Sequence, residues 1–236
     1  MDKIAAVILA GGSGKRMGGD IKKQYILLKG KEILAYTIEV FEKCEVIDEI
    51  VVVTSKDEMN KVQSDIINKY NYNKKIKLAI GGEERQDSVY EGLKSLSSDI
   101  NYVAIHDGAR PFVGIQSIVD VIELAKEKKA AVLAVPVKDT IKEVQISKET
   151  KKVLNTPDRS KLWAIQTPQV FEKELILKAY EYLKKENIVV TDDSMVVEAY
   201  GEAVYIVEGS YNNIKITTKE DLAIGEAIMN IIKSYK

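Results

Sequence analysis

Short runs rich in Val and Ile alternate along this chain with longer stretches whose apolar residues recur every three to four positions. Ile4–Leu9 has the first pattern; Glu32–Cys44 has the second, with Leu34, Ile38 and Phe41 on one face. The alternation predicts strands at Ile50–Thr54, Ile76–Ile80, Tyr102–Ile105 and Ala131–Val135. Helices are expected at Asp57–Tyr70, Glu84–Leu96 and Ile115–Lys128. Continuous apolar strands are buried on both faces, so this β-α order predicts a Rossmann-like α/β fold, a mostly parallel sheet with helices on both sides.

The pattern changes after Pro136. Residues 137–160 alternate apolar and charged positions around a polar turn at Ser147–Lys151, which reads as a protruding β-hairpin arm with too little apolar surface for a core element. Beyond it, helices are expected at Glu172–Lys185, Asp192–Tyr200 and Lys219–Lys233, with short strands at Ala203–Val207 and Asn213–Thr217. No internal repeat or low-complexity linker divides the 236 residues, which read as a single domain carrying the arm.

Composition narrows the functional classes. Hydrophobic residues are 45% and charged residues 30% of the chain, with Lys plus Arg at 35 against 36 acidic residues. A net charge of -1 argues against a nucleic-acid binder, so any positive site is local. The single cysteine, Cys44, rules out an internal disulfide and fits a reducing, cytoplasmic setting. One Cys and one His cannot make a zinc cluster. Ile4–Ala10 is short for a signal segment and is read as the first strand; no membrane association is expected.

The candidate chemistry begins at the end of that strand. "LAGGSGKRMGGDIKKQY" (residues 9–25) holds five glycines and four cations. It fails the P-loop pattern, since Gly14-Lys15 is followed by Arg16, and fails the dinucleotide pattern at Met17. Its physical content survives. Glycines let successive N–H groups close on an anion, and Arg16 and Lys23 supply fixed charge. A solvated basic turn remains the plainer reading for Lys15 and Lys22 alone.

This loop resembles the L-x-(A/G)-G-x-G-x-R-M…K-Q signature of nucleotidyltransferases. Further segments are "GGEERQDSVYEGL" (81–93), "HDGARPF" (106–112), "VPVKDTIK" (135–142), "DRSKLWAIQTPQVF" (158–171), "TDDSMVVE" (191–198) and "VEGSYNNIKITTKEDL" (207–222). In order and spread, they make the whole chain similar to the 2-C-methyl-D-erythritol 4-phosphate cytidylyltransferase family. The resemblance implies attack by a polyol phosphate on the α-phosphorus of CTP, with Mg²⁺ bound alongside the nucleotide. A phosphate nucleophile is already largely dianionic at neutral pH, so no general base is needed. What the reaction needs is positioning and charge neutralisation.

By this resemblance Arg16 and Lys23 stabilise the transition state, and Ala10, Gly11, Gly12, Ser13, Gly14 and Lys15 cradle the nucleotide. Gly81, Gly82, Glu83 and Ser88 resemble the cytosine-reading segment, for which a simple glycine turn is the structural alternative. Asp107 falls near the ribose and the metal, although a turn cap explains it equally well without the family. Arg110 falls near the acceptor pocket, and His106 is read as a structural residue. Thr140 and Arg159, flanking the arm, match positions that hold the acceptor phosphate across a homodimer interface. Lys215 matches the residue that positions the same phosphate. Two departures stand out: Lys22 replaces a common proline, and Asn212 stands where some relatives are acidic. Ribitol-5-phosphate cytidylyltransferase shares several of these segments, and a non-catalytic nucleotide-binding module on the same fold is the alternative outside the enzymes.

Overall fold

The computed structural model describes residues 2–11, 22–147, 150–186 and 188–234. Strand β1 (Lys3–Leu9) leads, after residues 12–21, to a small ribbon of β2 (Leu27–Leu28) and β3 (Lys31–Glu32), then helix α1 (Ile33–Lys43). β4 (Glu49–Thr54) follows, then α2 (Met59–Val62) and α3 (Asn68–Tyr70), joined through a wider π-type turn at Gln63–Ile67. The chain continues with β5 (Ile76–Ile80), α4 (Arg85–Lys94), β6 (Ile100–Asp107), α5 (Ile115–Lys128) and β7 (Ala130–Pro136). After a hairpin of β8 (Glu143–Ile146) and β9 (Lys151–Asn155) come β10 (Trp163–Glu172), α6 (Lys173–Glu186), α7 (Asp193–Tyr200), β11 (Tyr205–Glu208) and α8 (Lys219–Ser234).

Among the described residues the main sheet has seven strands in the order β11-β7-β10-β6-β1-β4-β5. All its pairings are parallel except those of β10, which runs antiparallel to both β6 and β7. The period of two along β1 explains the two cores. Ile4, Ala6 and Ile8 face one side, against Leu34, Ile38 and Phe41 of α1 and Ile118, Val121 and Ile122 of α5. Ala5 and Val7 face the other, with Val89 and Leu93 of α4, Ile176 and Ala179 of α6 and Val196 of α7. Each large aliphatic side chain fully buried this way contributes about 1.5–3 kcal/mol, so alternation within one strand fastens helices to both faces.

Three expectations need correction. β10 is not predicted as a strand, because Gln166, Thr167, Pro168 and Gln169 interrupt the apolar pattern, yet it lies inside the sheet between β7 and β6. Asn213–Thr217 pairs in no ladder; it is an extended strap whose Ile216 N–H donates to the Ala109 carbonyl (2.9 Å). The helix expected over Asp57–Tyr70 is the interrupted helical path of α2 and α3. Cys44 is buried, and burial pushes its thiol up, away from reactivity.

Candidate active site

The chain turns from β1 toward β4 on one side and from β6 toward β7 on the other, so β1 and β6 flank the topological switch point. Open α/β sheets expose a crevice there, beyond the carboxyl ends of the strands. Leu9 and Asp107, the two strand ends, are paired across it. Gly108 lets the next residues pass close. Its N–H donates to the Leu9 carbonyl (2.9 Å), and a Cβ at this position would stand 2.7 Å from that oxygen.

Three hollows adjoin at this crevice. The first, about 380 Å³, lies over the ends of β4 and β5 and is lined by Gly81, Gly82, Glu83, Arg85 and Ser88, with Lys22 on its rim. A side chain at Gly82 would place its Cβ 2.3 Å from that of Asp87, so glycine is what allows the turn to lie against the first turn of α4. The second, about 190 Å³, sits over the switch point and is lined by Gly11, Lys23, Gln24, Asp107 and Lys215. The third, about 200 Å³, is lined by Asp107, Arg110, Thr167, Gln169, Asp192 and Lys215.

Asp107 is the electrostatic centre. Its Oδ2 accepts from Lys215 Nζ (2.9 Å) and Arg110 Nε (3.1 Å). Burial alone would raise its pKa, but the charges of Lys215, Arg110 and Arg85 outweigh burial and hold the carboxyl well below its ordinary range. The strap delivers Lys215. Fully buried Asn213 donates to the Thr167 carbonyl (2.9 Å) and receives Arg110 Nη1 on its own carbonyl (2.8 Å). Two residues on, Lys215 therefore faces the crevice between two pinned positions.

His106 works beneath the site. Thr167 Oγ1 accepts the Asp107 N–H (3.1 Å) and lies 3.0 Å from His106 Nδ1, while His106 Nε2 lies 3.0 Å from the Arg110 carbonyl. A neutral ring protonated on Nε2 satisfies every partner. Burial pushes this histidine down to about 4, with the Arg110 and Lys215 charges acting the same way. A folded pKa below the unfolded value of about 6.5 means stability is complete above pH 6.5 and is lost as pH falls toward 4. The loss is expected to reach at most about 3 kcal/mol. Urea melts at pH 7 and pH 5 check it: the pH difference should shrink in His106→Asn.

The sequence candidates divide into four groups. Gly11, Lys23, Gly82, Glu83, Ser88, Asp107, Arg110 and Lys215 line the joined hollows. Ala10 lies just below, 1% exposed, its carbonyl accepting from Gln24 Nε2. Gly12, Ser13, Gly14, Lys15 and Arg16 lie outside the described residues. Thr140 and Arg159 line none of the three hollows. Both are exposed, and Arg159 Nη1 donates to the Lys138 carbonyl (2.6 Å). Lys22 is not simply solvated: it pairs with Glu58 at 2.9 Å.

Arg85, Asn213 and Thr167 also belong to the site, and no sequence motif marks their roles. Arg85 sits inside the quoted glycine segment and its partner Asp193 inside "TDDSMVVE", but nothing in either stretch announces a pairing across 108 positions. No group of three or more His, Cys, Asp or Glu residues among the described residues could hold a metal ion by itself. Asp107 offers a single carboxylate whose ion pairs both end on Oδ2. One carboxylate suits Mg²⁺ arriving with phosphate oxygens and its own waters.

Comparisons with known proteins agree with this arrangement. The family model described as IspD, 2-C-methyl-D-erythritol 4-phosphate cytidylyltransferase, matches residues 4–231. A protein of that name from Clostridioides difficile is 55% identical over 97% of this chain and 94% of its own length. One from Clostridium botulinum (strain Langeland) is 52% identical over 97% of this chain and 98% of its own. The crystal structure of 4-diphosphocytidyl-2C-methyl-D-erythritol synthase from Anaerococcus prevotii superposes with a TM-score of 0.84 at 36% identity, covering 97% of this chain and 96% of that one. The cytidylyltransferase structure from Francisella tularensis gives 0.81 at 35% identity, covering 96% and 100%. With a fold, a switch-point crevice and near-complete sequence coverage in agreement, the chain belongs to the 2-C-methyl-D-erythritol 4-phosphate cytidylyltransferase family.

Proposed function

We propose that this enzyme transfers CMP from CTP to 2-C-methyl-D-erythritol 4-phosphate, giving 4-diphosphocytidyl-2-C-methyl-D-erythritol and pyrophosphate. The observation that carries the reading is the meeting of Lys23, Asp107 and Lys215 in one hollow that opens onto the Gly81–Gly82 turn. An acceptor phosphate oxygen forms a bond to the α-phosphorus while the bond to the bridging α,β-oxygen breaks, and the electron pair leaves with pyrophosphate. Lys215 and Arg110 orient the acceptor phosphate. Lys23, with Arg16, offsets the charge that builds at the α-phosphate. Gly11 through Gly14, with Lys15, wrap the triphosphate. Gly82, Glu83 and Ser88 read the cytosine edge, which rejects uracil because its donors and acceptors would go unpaired. Mg²⁺, held by Asp107 and the triphosphate, would draw the two anions together and relieve their repulsion.

The reading extends to a homodimer. Residues 138–147 and 150–156 are exposed throughout, including Ile146 (71%), Val153 (53%) and Leu154 (54%). An isolated two-stranded hairpin is marginal in water, so a second subunit is the natural cover for these side chains, and Thr140 and Arg159 then serve the partner's site. The single cysteine supports a reducing, cytoplasmic setting; no described helix is long and apolar enough to cross a membrane. A panel of four nucleoside triphosphates against 2-C-methyl-D-erythritol 4-phosphate and ribitol 5-phosphate, read as pyrophosphate, tests the assignment. CTP with the erythritol phosphate should exceed every other pair by about 10²-fold or more in kcat/KM. Equal turnover of ribitol phosphate, or none at all, would overturn it.

A further inference from the structure

Arg85 borders all three hollows. Its Nη1 and Nη2 donate to Asp193 Oδ1 (2.9 Å) and Oδ2 (2.6 Å) in a two-pronged pair. Asp193 is fully buried and also receives the Tyr180 hydroxyl on Oδ1 (2.6 Å), while the Arg85 side chain keeps 34% exposure toward the crevice. The carboxylate end is itself anchored. Asp192 caps α7 through the Met195 N–H (3.0 Å), and Gln169 of β10 bonds both Asp192 Oδ2 (2.9 Å) and the Ser194 N–H (2.8 Å). The guanidinium is therefore a fixed cation with a buried counter-charge behind it and open space in front.

A guanidinium carries five N–H groups, and the pair with Asp193 uses two of them. A pair that only tied α4 to α7 would not need to stand where the turn hollow opens onto the switch-point hollow. That junction lies between the Gly81–Gly82 turn and the cations Lys23 and Lys215, so a nucleotide running from base to triphosphate crosses it. We propose that Arg85 is a further ligand-contacting residue of this site, gripping the phosphate end of the bound nucleotide through its remaining N–H groups, with Asp193 and Tyr180 as its positioning residues. The inference rests on the CTP reading above and adds a cation that none of the sequence candidates included.

The test is ligand dissection on the full chain. Cytidine, CMP and CTP are titrated into wild type, Arg85→Lys and Arg85→Gln, with nuclear magnetic resonance reading the weak cytidine arm and calorimetry the other two. Lysine keeps the charge and loses the fork, so CMP and CTP should bind about tenfold more weakly while cytidine stays within about twofold. Arg85→Gln should enlarge the same phosphate-dependent loss. Should glutamine leave Asp193 uncompensated and the chain unfolded, the lysine series carries the comparison alone. Equal losses for cytidine and CTP would show a brace for the base turn, and unchanged affinities would show a structural pair; either overturns the proposal. Wild-type turnover is measured alongside, so an inactive wild type would count against the cytidylyltransferase reading and not against the Arg85 comparison.

Discussion

Lys215→Met is expected to lower kcat by about 10²–10³-fold, the loss seen when one preorganised charge-stabilising donor is removed from an active site. The physical reason lies in the charge count around Asp107. Its carboxylate is buried and keeps its negative charge through the contacting Lys215 and Arg110, with Arg85 farther off. Without the ammonium, an incoming dianionic phosphate meets a carboxylate that has lost one of its two contacting cations. The two charges should therefore be coupled. Lys215→Met combined with Asp107→Asn should be less impaired than the product of the single losses, because the double variant removes the uncompensated charge along with the ammonium. Fold should survive, since Arg110 still bonds Asp107 and Asn213 still pins the strap, and a stability loss of about 1–2 kcal/mol is expected. Initial rates at saturating substrates and thermal melts of the four proteins check this. Full additivity in the cycle would place Lys215 and Asp107 in separate functions.

The second large effect is a recovery. Lys215→Met and Arg159→Ala are each expected to be nearly inactive, yet mixing and exchanging their subunits should restore about a quarter of wild-type activity. Random exchange makes half the dimers mixed, and a two-fold interface gives each mixed dimer one site with both residues intact. The observation behind it is the position of Arg159: exposed, bonded back to the Lys138 carbonyl, and lining none of the hollows that Lys215 lines. Mass-labelled subunits confirm that exchange has occurred. No recovery after verified exchange would put Arg159 and Lys215 in the same chain's site.

The parallel half of the sheet was legible because its strands are apolar on both faces. Ile50–Thr54 and Ile76–Ile80 are contained in or coincide with the observed β4 and β5, and Ile115–Lys128 is α5 itself. β10 was not legible because its inward groups are polar and find partners far away in sequence: Thr167 with His106, Gln169 with Asp192 and Ser194, Gln166 with the Ser210 carbonyl. No local pattern signals such satisfaction. The strap misled for the opposite reason, since alternating Asn213, Ile214, Lys215 and Ile216 look like a half-buried strand. The strap instead buries two positions three apart, Asn213 and Ile216, and presents Lys215 to the crevice between them. In the site, glycine and lysine motifs were readable as chemistry, whereas Arg85 required knowing that α4 and α7 come together.

The polar interior of β10 also sets a limit for anyone engineering this enzyme. Elsewhere in the sheet most buried side chains are apolar, and swaps of similar volume are tolerated best. Here, leucine or valine at Thr167 would strip His106 Nδ1 of its partner, at Gln169 would strip the Ser194 N–H, and at Gln166 would remove one of the two bonds of the Asn213 amide. Heat resistance and catalytic competence cannot be tuned independently along this strand, and a library built for robustness does best to leave its central stretch untouched.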